Sequence, residues 1–259
     1  MKFYILCDME GISGIRYPEQ VDRREPAYEE GRLLMEADVN AAVEGCFRGG
    51  ATEVLVCDTH GGGGQLRLEQ MDPRATYERP AKARMMPSLD ETFAGLILLG
   101  HHAMAGTENA FLDHTMDSGS WFEYRLNDQP LGEIGIEAAF AGHFHVPVVM
   151  VSGDETACQE ARATLGEVET AVVKWALWRN RARCLAPALA RERITEAAAK
   201  AASQPKRYKP FRPSVPATIL LTLYRTDYCE NYLSRSHVER AGPRTIRVKI
   251  DSLVDLSRW

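Results

Sequence analysis

The chain lacks what would send it to a membrane or a nucleic acid. No apolar run approaches the roughly 20 residues that a bilayer-spanning helix needs. The amino-terminal apolar stretch is short and runs into Asp8 and Glu10 rather than a small-residue cleavage site. It is therefore not read as a secretory signal. Basic charge is in deficit: 31 Lys and Arg against 36 Asp and Glu leave a formal net charge of −5. That excludes the basic footprint of a nucleic-acid or anionic-lipid binder, so neither nucleic acid nor membrane is expected as a partner. The six cysteines, Cys7, Cys46, Cys57, Cys158, Cys184 and Cys229, include no C-x-x-C pair. Cys7, Cys46 and Cys57 sit in apolar settings and read as buried thiols, which points to a reduced, cytoplasmic protein. There is no internal repeat and no low-complexity tract. The four glycines Gly61 to Gly64 lack the Gly-Lys-Ser/Thr ending of a P-loop, which excludes phosphate cradling there.

What is present suits one large α/β domain, or one with a small appendage. The chain has 259 residues with ordinary hydrophobic content, enough for a sizeable core. Phe3 to Cys7 reads as a buried strand, and a helical pattern follows from about Ala27 to Arg48, stopped by Gly49-Gly50. Glu53 to Cys57 is a second strand, so the first two strands are expected to be parallel. A short strand near Thr76-Tyr77 follows, and Ser88 to Glu91 has the spacing of a capping box opening a short helix. Leu96 to Leu99 suits a central strand covered on both faces. Asn127 to Pro130 reads as a hairpin turn. Helices are expected over 132–141, 156–165 and 187–203, with strands over 146–151 and 170–177. Four prolines between Gln204 and Pro216 mark a connection. Strands over 217–224 and 245–250 follow, with a short helix near 227–233 between them. The expected fold is α/β: a mostly parallel central sheet flanked by helices, with a smaller α+β carboxyl-terminal segment. Residues 1–203 form the metal-binding catalytic part. Residues 204–259 form the smaller segment, a second lobe or an oligomer contact.

Asp8, Glu10, Asp58, His60, His102 and Asp154 each fall at or just past the end of an expected strand. In a parallel sheet such ends converge on one edge, where sites are built. Carboxylates are hard ligands, and imidazole selects transition metals over Mg²⁺ or Ca²⁺. Two nearby cations sharing such ligands can draw a nucleophile from water and polarise a carbonyl or phosphoryl oxygen. Each residue also has a plain reading. Asp8-Met9-Glu10 alone is a solvated acidic turn, and His60 a turn histidine. One of His101 and His102 is only a packed ring, because alternation along the strand turns them in opposite directions. Glu133 favours a helix dipole, and Asp58 orients His60 as an acceptor.

The blocks Met1-Lys2-Phe3-Tyr4-Ile5-Leu6-Cys7-Asp8-Met9-Glu10-Gly11-Ile12-Ser13-Gly14, Asp58-Thr59-His60, Leu99-Gly100-His101-His102-Ala103, Asp113-His114-Thr115-Met116, Gly132-Glu133-Ile134-Gly135 and Val146 to Asp154 occur in that order. Together they resemble the D-aminopeptidases of the DppA type, peptidase family M55, over about residues 1–185. The resemblance implies a binuclear zinc aminopeptidase. It would remove an N-terminal D-amino acid, typically D-alanine, from short peptides. It implies two Zn²⁺ per chain held by Asp8, Glu10, His60, His102 and Glu133, with Asp8 bridging, and His114 as the catalytic histidine. It also implies a ring-shaped homodecamer with an inner tunnel. Two other classes stay open on the residues alone: another binuclear hydrolase, an amidase or phosphoesterase, and a peptide-binding relative without activity.

Overall fold

The structure, a computed structural model, describes residues 1–81 and 84–256. Its centre is a seven-stranded sheet in the order β3-β2-β1-β4-β7-β8-β9. The strands are β1 (Lys2–Cys7), β2 (Glu53–Asp58), β3 (Thr76–Glu78), β4 (Phe93–His101), β7 (Val148–Asp154), β8 (Glu169–Trp178) and β9 (Arg181–Cys184). All neighbours pair in parallel except β8 with β9, an antiparallel hairpin at one edge. The second sheet is antiparallel. It joins β5 (Trp121–Leu126) and β6 (Gln129–Pro130) to β10 (Ala217–Leu223), β11 (Val238–Arg240) and β12 (Thr245–Ile250). The expected hairpin turn lies between β5 and β6, where Asn127 and Asp128 both take positive φ.

The period of two along β1 explains the layering. Phe3, Ile5 and Cys7 point to one face, Tyr4 and Leu6 to the other, and all five are fully buried. The first face packs against α1 (Tyr28–Arg48) and the alanine-rich α4 (Pro187–Ser203) through Val39, Ala42, Val43, Ile194 and Ala198. The second face joins a cluster with α2 (Glu133–His143), α3 (Glu155–Leu165) and the antiparallel sheet, including Ile134, Ala138, Ala161, Ile219 and Leu221. A sheet covered on both sides has near-continuous apolar strands, as β1, β4 and β7 do. The last helix, α5 (Thr226–Leu233), leans on the antiparallel sheet.

One expected element is absent. Ser88 to Glu91 is turn and irregular chain, not helix. Ser88 gives both its backbone N–H and its hydroxyl to Glu78 at the end of β3, at 3.1 and 2.6 Å. A long-range carboxylate took the hydroxyl that the capping pattern reserved for the chain itself. The β9 edge strand and the short β11 were not anticipated. Among the described residues no helix is long and apolar enough to cross a membrane.

Candidate metal centre

Parallel pairing of β2, β1 and β4 carries Asp8, His60 and His102 to one sheet edge. The chain then opens loops there that need unusual backbone. Gly100 takes φ +73, and a Cβ on it would lie 2.4 Å from the Asp8 carbonyl oxygen. Only glycine lets β4 press this closely on the loop after β1. Gly63 takes φ +82, with the Asp58 carbonyl oxygen 2.5 Å from where its Cβ would be. That turn folds the glycine run back under His60.

Two groups of donors meet around Asp8. At one end His60 Nδ1 lies 3.1 Å from Asp8 Oδ1 and 3.1 Å from Glu10 Oε2. At the other end His102 Nε2 lies 3.3 Å from Asp8 Oδ2 and 3.3 Å from Glu133 Oε1. Glu133 comes from the first turn of α2, and its Oε1 is also 3.6 Å from His114 Nε2. The His114 ring stacks on His102 with centroids 3.9 Å apart. Asp8, Glu10 and His60 form one possible metal-holding group, and His102, His114 and Glu133 another.

The tautomers decide what this cluster wants. His60 Nε2–H donates to the Val21 carbonyl at 3.0 Å, leaving Nδ1 as the lone-pair nitrogen of the neutral ring. His102 Nδ1–H donates to the Ala103 carbonyl at 3.0 Å, leaving Nε2. His102 Nε2 is buried without a hydrogen-bond partner. At both ends, then, a lone pair faces two carboxylate oxygens. Acceptor against acceptor is unfavourable unless a proton or a cation stands between them. Burial alone would lower the proton affinity of His60 and His102, but the neighbouring carboxylates overcome it and hold both well above the usual histidine range. Burial would raise Asp8, yet the two histidines keep it well below an ordinary carboxylate. Burial likewise opposes ionisation of Glu133, and His102 brings it down to about 2. A mixed imidazole and carboxylate set with Asp8 offering one oxygen to each end fits zinc.

The remaining expected residues divide. Asp58 turns away from the cluster: its Oδ2 accepts N–H bonds from Gly64, Gln65 and Leu66 at 2.8, 2.6 and 3.3 Å. It braces the glycine turn that carries His60. Asp154 caps α3 by accepting from Ala157 N–H, and also holds the Phe111 N–H. His101 points to the opposite side from His102, as alternation required, and pairs with buried Glu137 at 2.6 Å. His114 Nδ1–H donates to the Leu112 carbonyl at 2.8 Å, which aims Nε2 at the cluster.

Three supporting groups escaped the sequence reading. Lys174 is fully buried and donates to the Glu10 and Ile15 carbonyls, both at 2.7 Å. Burial pushes its pKa down to about 8. Asp38 of α1 accepts from the Ser13 N–H and hydroxyl at 2.8 and 2.7 Å, and burial raises it to about 6. These two clamp the loop bearing Asp8 and Glu10 from below. Glu160 of α3 accepts the Met104 N–H at 2.7 Å and fixes the chain beyond His102. The available signal was a charge inside an apolar pattern: Asp38 among Met35, Val39 and Ala42, and Lys174 after Ala171-Val172-Val173.

A cleft of about 700 Å³ opens onto Glu10, His60 and His114. Its volume suits a small molecule or a short peptide.

Comparison with known proteins agrees with this geometry. The D-aminopeptidase of Bacillus subtilis (strain 168) is 40% identical over 217 residues, covering 82% of this chain and 78% of the relative. A solved structure, the Zn-dependent D-aminopeptidase DppA from Bacillus subtilis, a self-compartmentalizing protease, has a TM-score of 0.95. That match covers 100% of this chain and 94% of the other, at 34% identity. The Peptidase_M55 profile, described as D-aminopeptidase, matches residues 1–259, so it takes in the antiparallel sheet as well as the cluster. With sequence, fold and donor set in agreement, the chain belongs to the M55 family of D-aminopeptidases.

Proposed function

We propose that this protein is a binuclear zinc aminopeptidase that removes the N-terminal residue of short peptides, with preference for a D-amino acid such as D-alanine. The observation that carries the reading is the pair of histidine lone pairs, each facing two carboxylate oxygens, with Asp8 contributing to both. Asp8, Glu10 and His60 would hold one ion. Asp8, His102 and Glu133 would hold the other. Zinc there supplies Lewis acidity for the scissile carbonyl and a low pKa for water.

The chain's own groups do the rest. His114 is the proton carrier. Its Nδ1–H is tied to the Leu112 carbonyl, so Nε2 is the atom that takes and returns a proton beside the reacting amide. Stacking on His102 fixes the plane of the ring. Glu133 orients the cluster from α2, and its Oε1 also accepts the Met116 N–H at 2.7 Å, which holds the His114 loop in place. The Bacillus subtilis neighbour is Zn-dependent and self-compartmentalizing, which supports zinc and a homo-oligomer here. We extend that to a ring decamer, with residues 1–203 catalytic and residues 204–259 a smaller segment contacting neighbouring copies.

The test is zinc content of the purified protein, combined with hydrolysis of D-Ala-D-Ala and L-Ala-L-Ala before and after chelation. The expected result is two zinc ions per chain and chelator-sensitive release of D-alanine, faster than from the L-peptide. Metal without cleavage of either peptide would move the assignment to another amide or a phosphoester.

A further inference from the structure

The cleft wall facing the cluster is built by Pro18, Glu19 and residues 21–25, with Ser118 and Arg179 alongside. Three guanidinium groups line it: Arg23, Arg24 and Arg179. Two are already neutralised. Arg24 donates from Nε and Nη2 to the Asp22 carboxylate at 2.9 and 2.7 Å. Arg179 sits 3.1 Å from Asp113 Oδ1 and also donates to the Asp113 carbonyl at 3.0 Å. Arg23 is different. Its Nη2 donates to the Gly63 carbonyl at 2.8 Å and reaches the His60 carbonyl at 3.4 Å. Both acceptors are neutral. Among the described residues no carboxylate oxygen lies within 4.0 Å of its guanidinium.

Arg23 is therefore a positive charge held in place by backbone, exposed to the cleft, and without a counterion. It stands beside the turn that carries His60. Glu19 and Glu25 lie on the same wall and repel an anion elsewhere along it. A short peptide supplies what this arrangement lacks. Its ammonium adjoins the scissile amide, and its carboxylate lies beyond. In a dipeptide the two ends are only about one residue apart, roughly 3.5 Å of chain past the scissile nitrogen. A guanidinium is the side chain best matched to a carboxylate, because it offers two parallel N–H donors.

We propose that Arg23 receives the terminal carboxylate of the peptide substrate and so selects free-acid peptides of two or three residues. The inference rests on the peptidase reading above. It assigns a substrate feature that neither the metal cluster nor His114 recognises.

The experiment compares kcat/KM for D-Ala-D-Ala with that for its carboxyl-terminal amide, using the zinc-loaded full chain. The wild-type protein should favour the acid by roughly 10- to 100-fold, the range for a charge-assisted pair. Arg23→Gln should collapse that ratio toward one, chiefly through KM for the acid. Arg23→Lys keeps the charge and should keep part of the ratio. A wild-type ratio near one overturns the inference and leaves the peptidase reading standing. So does an equal fall on both substrates in Arg23→Gln, because loss of support under the glycine turn alone would act that way. If Arg23→Gln does not fold, the wild-type ratio and the Arg23→Lys ratio decide. Cleavage of neither peptide by the wild-type protein overturns the peptidase reading and the inference with it.

Discussion

The two ends of the Asp8 cluster pose the same chemical problem and are built in opposite ways. The His102 end is deep. Its histidine side chain is 1% exposed and Glu133 is on a helix. Behind it stand the buried His101–Glu137 pair and Glu160. The His60 end is shallow. Its histidine is 14% exposed and rides on a glycine turn, with Val21 and Arg23 of an irregular loop against it. The deep end is made rigid by regular elements. The shallow end is made by loops that also form the cleft wall. On the proposed reading, holding ions and admitting a peptide are divided between the two ends.

The first way to break this comparison is to remove what the ends share. Asp8→Ala should strip both ions and lower turnover by more than about 10⁴-fold. Metal analysis alongside the peptide assay checks it, and a full complement of zinc in this variant would refute the bridge. On the proposed assignment His114 holds neither ion, although its Nε2 lies 3.6 Å from Glu133 Oε1. In His114→Ala, turnover should fall by about 10²–10⁴-fold while zinc content stays unchanged. Equal loss of metal and activity would make His114 a ligand instead.

Two variants separate the ends. Gly63→Ala forces an L-residue to φ +82 against the Asp58 carbonyl, a strain on the order of 1–3 kcal/mol. It should cost the shallow ion, leaving about one zinc per chain on mild chelation. Glu137→Gln leaves the shallow end alone. It loosens His101 behind the deep one and should weaken that ion's affinity by less than about tenfold, because Glu137 holds a histidine that is not itself a donor to the cluster. Competition with a fluorescent chelator reads both. Identical two-ion loss in each variant would mean that the ends are one cooperative unit.

The smallest effect concerns pH. Burial raises Glu160 to about 7. Unfolded, it would titrate near the ordinary value of about 4.3. Folding therefore retains a proton that the unfolded chain releases. The stability linked to this group is full below about 4.3 and is lost as pH rises to about 7. Glu160→Gln should flatten that slope and, by about pH 7, gain on the order of 3–4 kcal/mol relative to the parent. Urea unfolding at a series of pH values checks it. An unchanged slope would place the titration elsewhere.

The sequence revealed the parts of the site that depend on local pattern. Strand ends are legible from short apolar runs stopped by Gly or polar residues. Parallel pairing then does the gathering, and so Asp8, His60 and His102 could be read together. Glu133 and His114 had no such signal. One opens a helix and the other lies in a loop, and only resemblance to a family singled them out. Asp58 and Asp154 had the strand-end signal but serve the backbone instead, since a buried carboxylate beside free N–H groups satisfies them first. Lys174 was hidden for the opposite reason. Its partners lie 159 and 164 residues away in sequence, and no window along the chain brings them together. Ser88 shows the same limit, because a distant acid outcompeted its local cap.

The strand order has a further consequence for how the chain is made. Of these strands β1 is made first and lies mid-sheet, and each later strand of the large sheet docks on an edge already present: β2 and β3 on one side, then β4, β7, β8 and β9 on the other. That sheet can grow outward during translation without waiting for a partner. The antiparallel sheet cannot, because β5 has no long neighbour until β10 is made, some 90 residues later by the pairing of Leu126 with Ile219. Every residue assigned to the cluster lies before Ile134, in the portion that assembles early. A nascent chain halted just after β9 would thus carry the whole donor set while α4 and most of the antiparallel sheet, which cover opposite faces of its core, were still unmade.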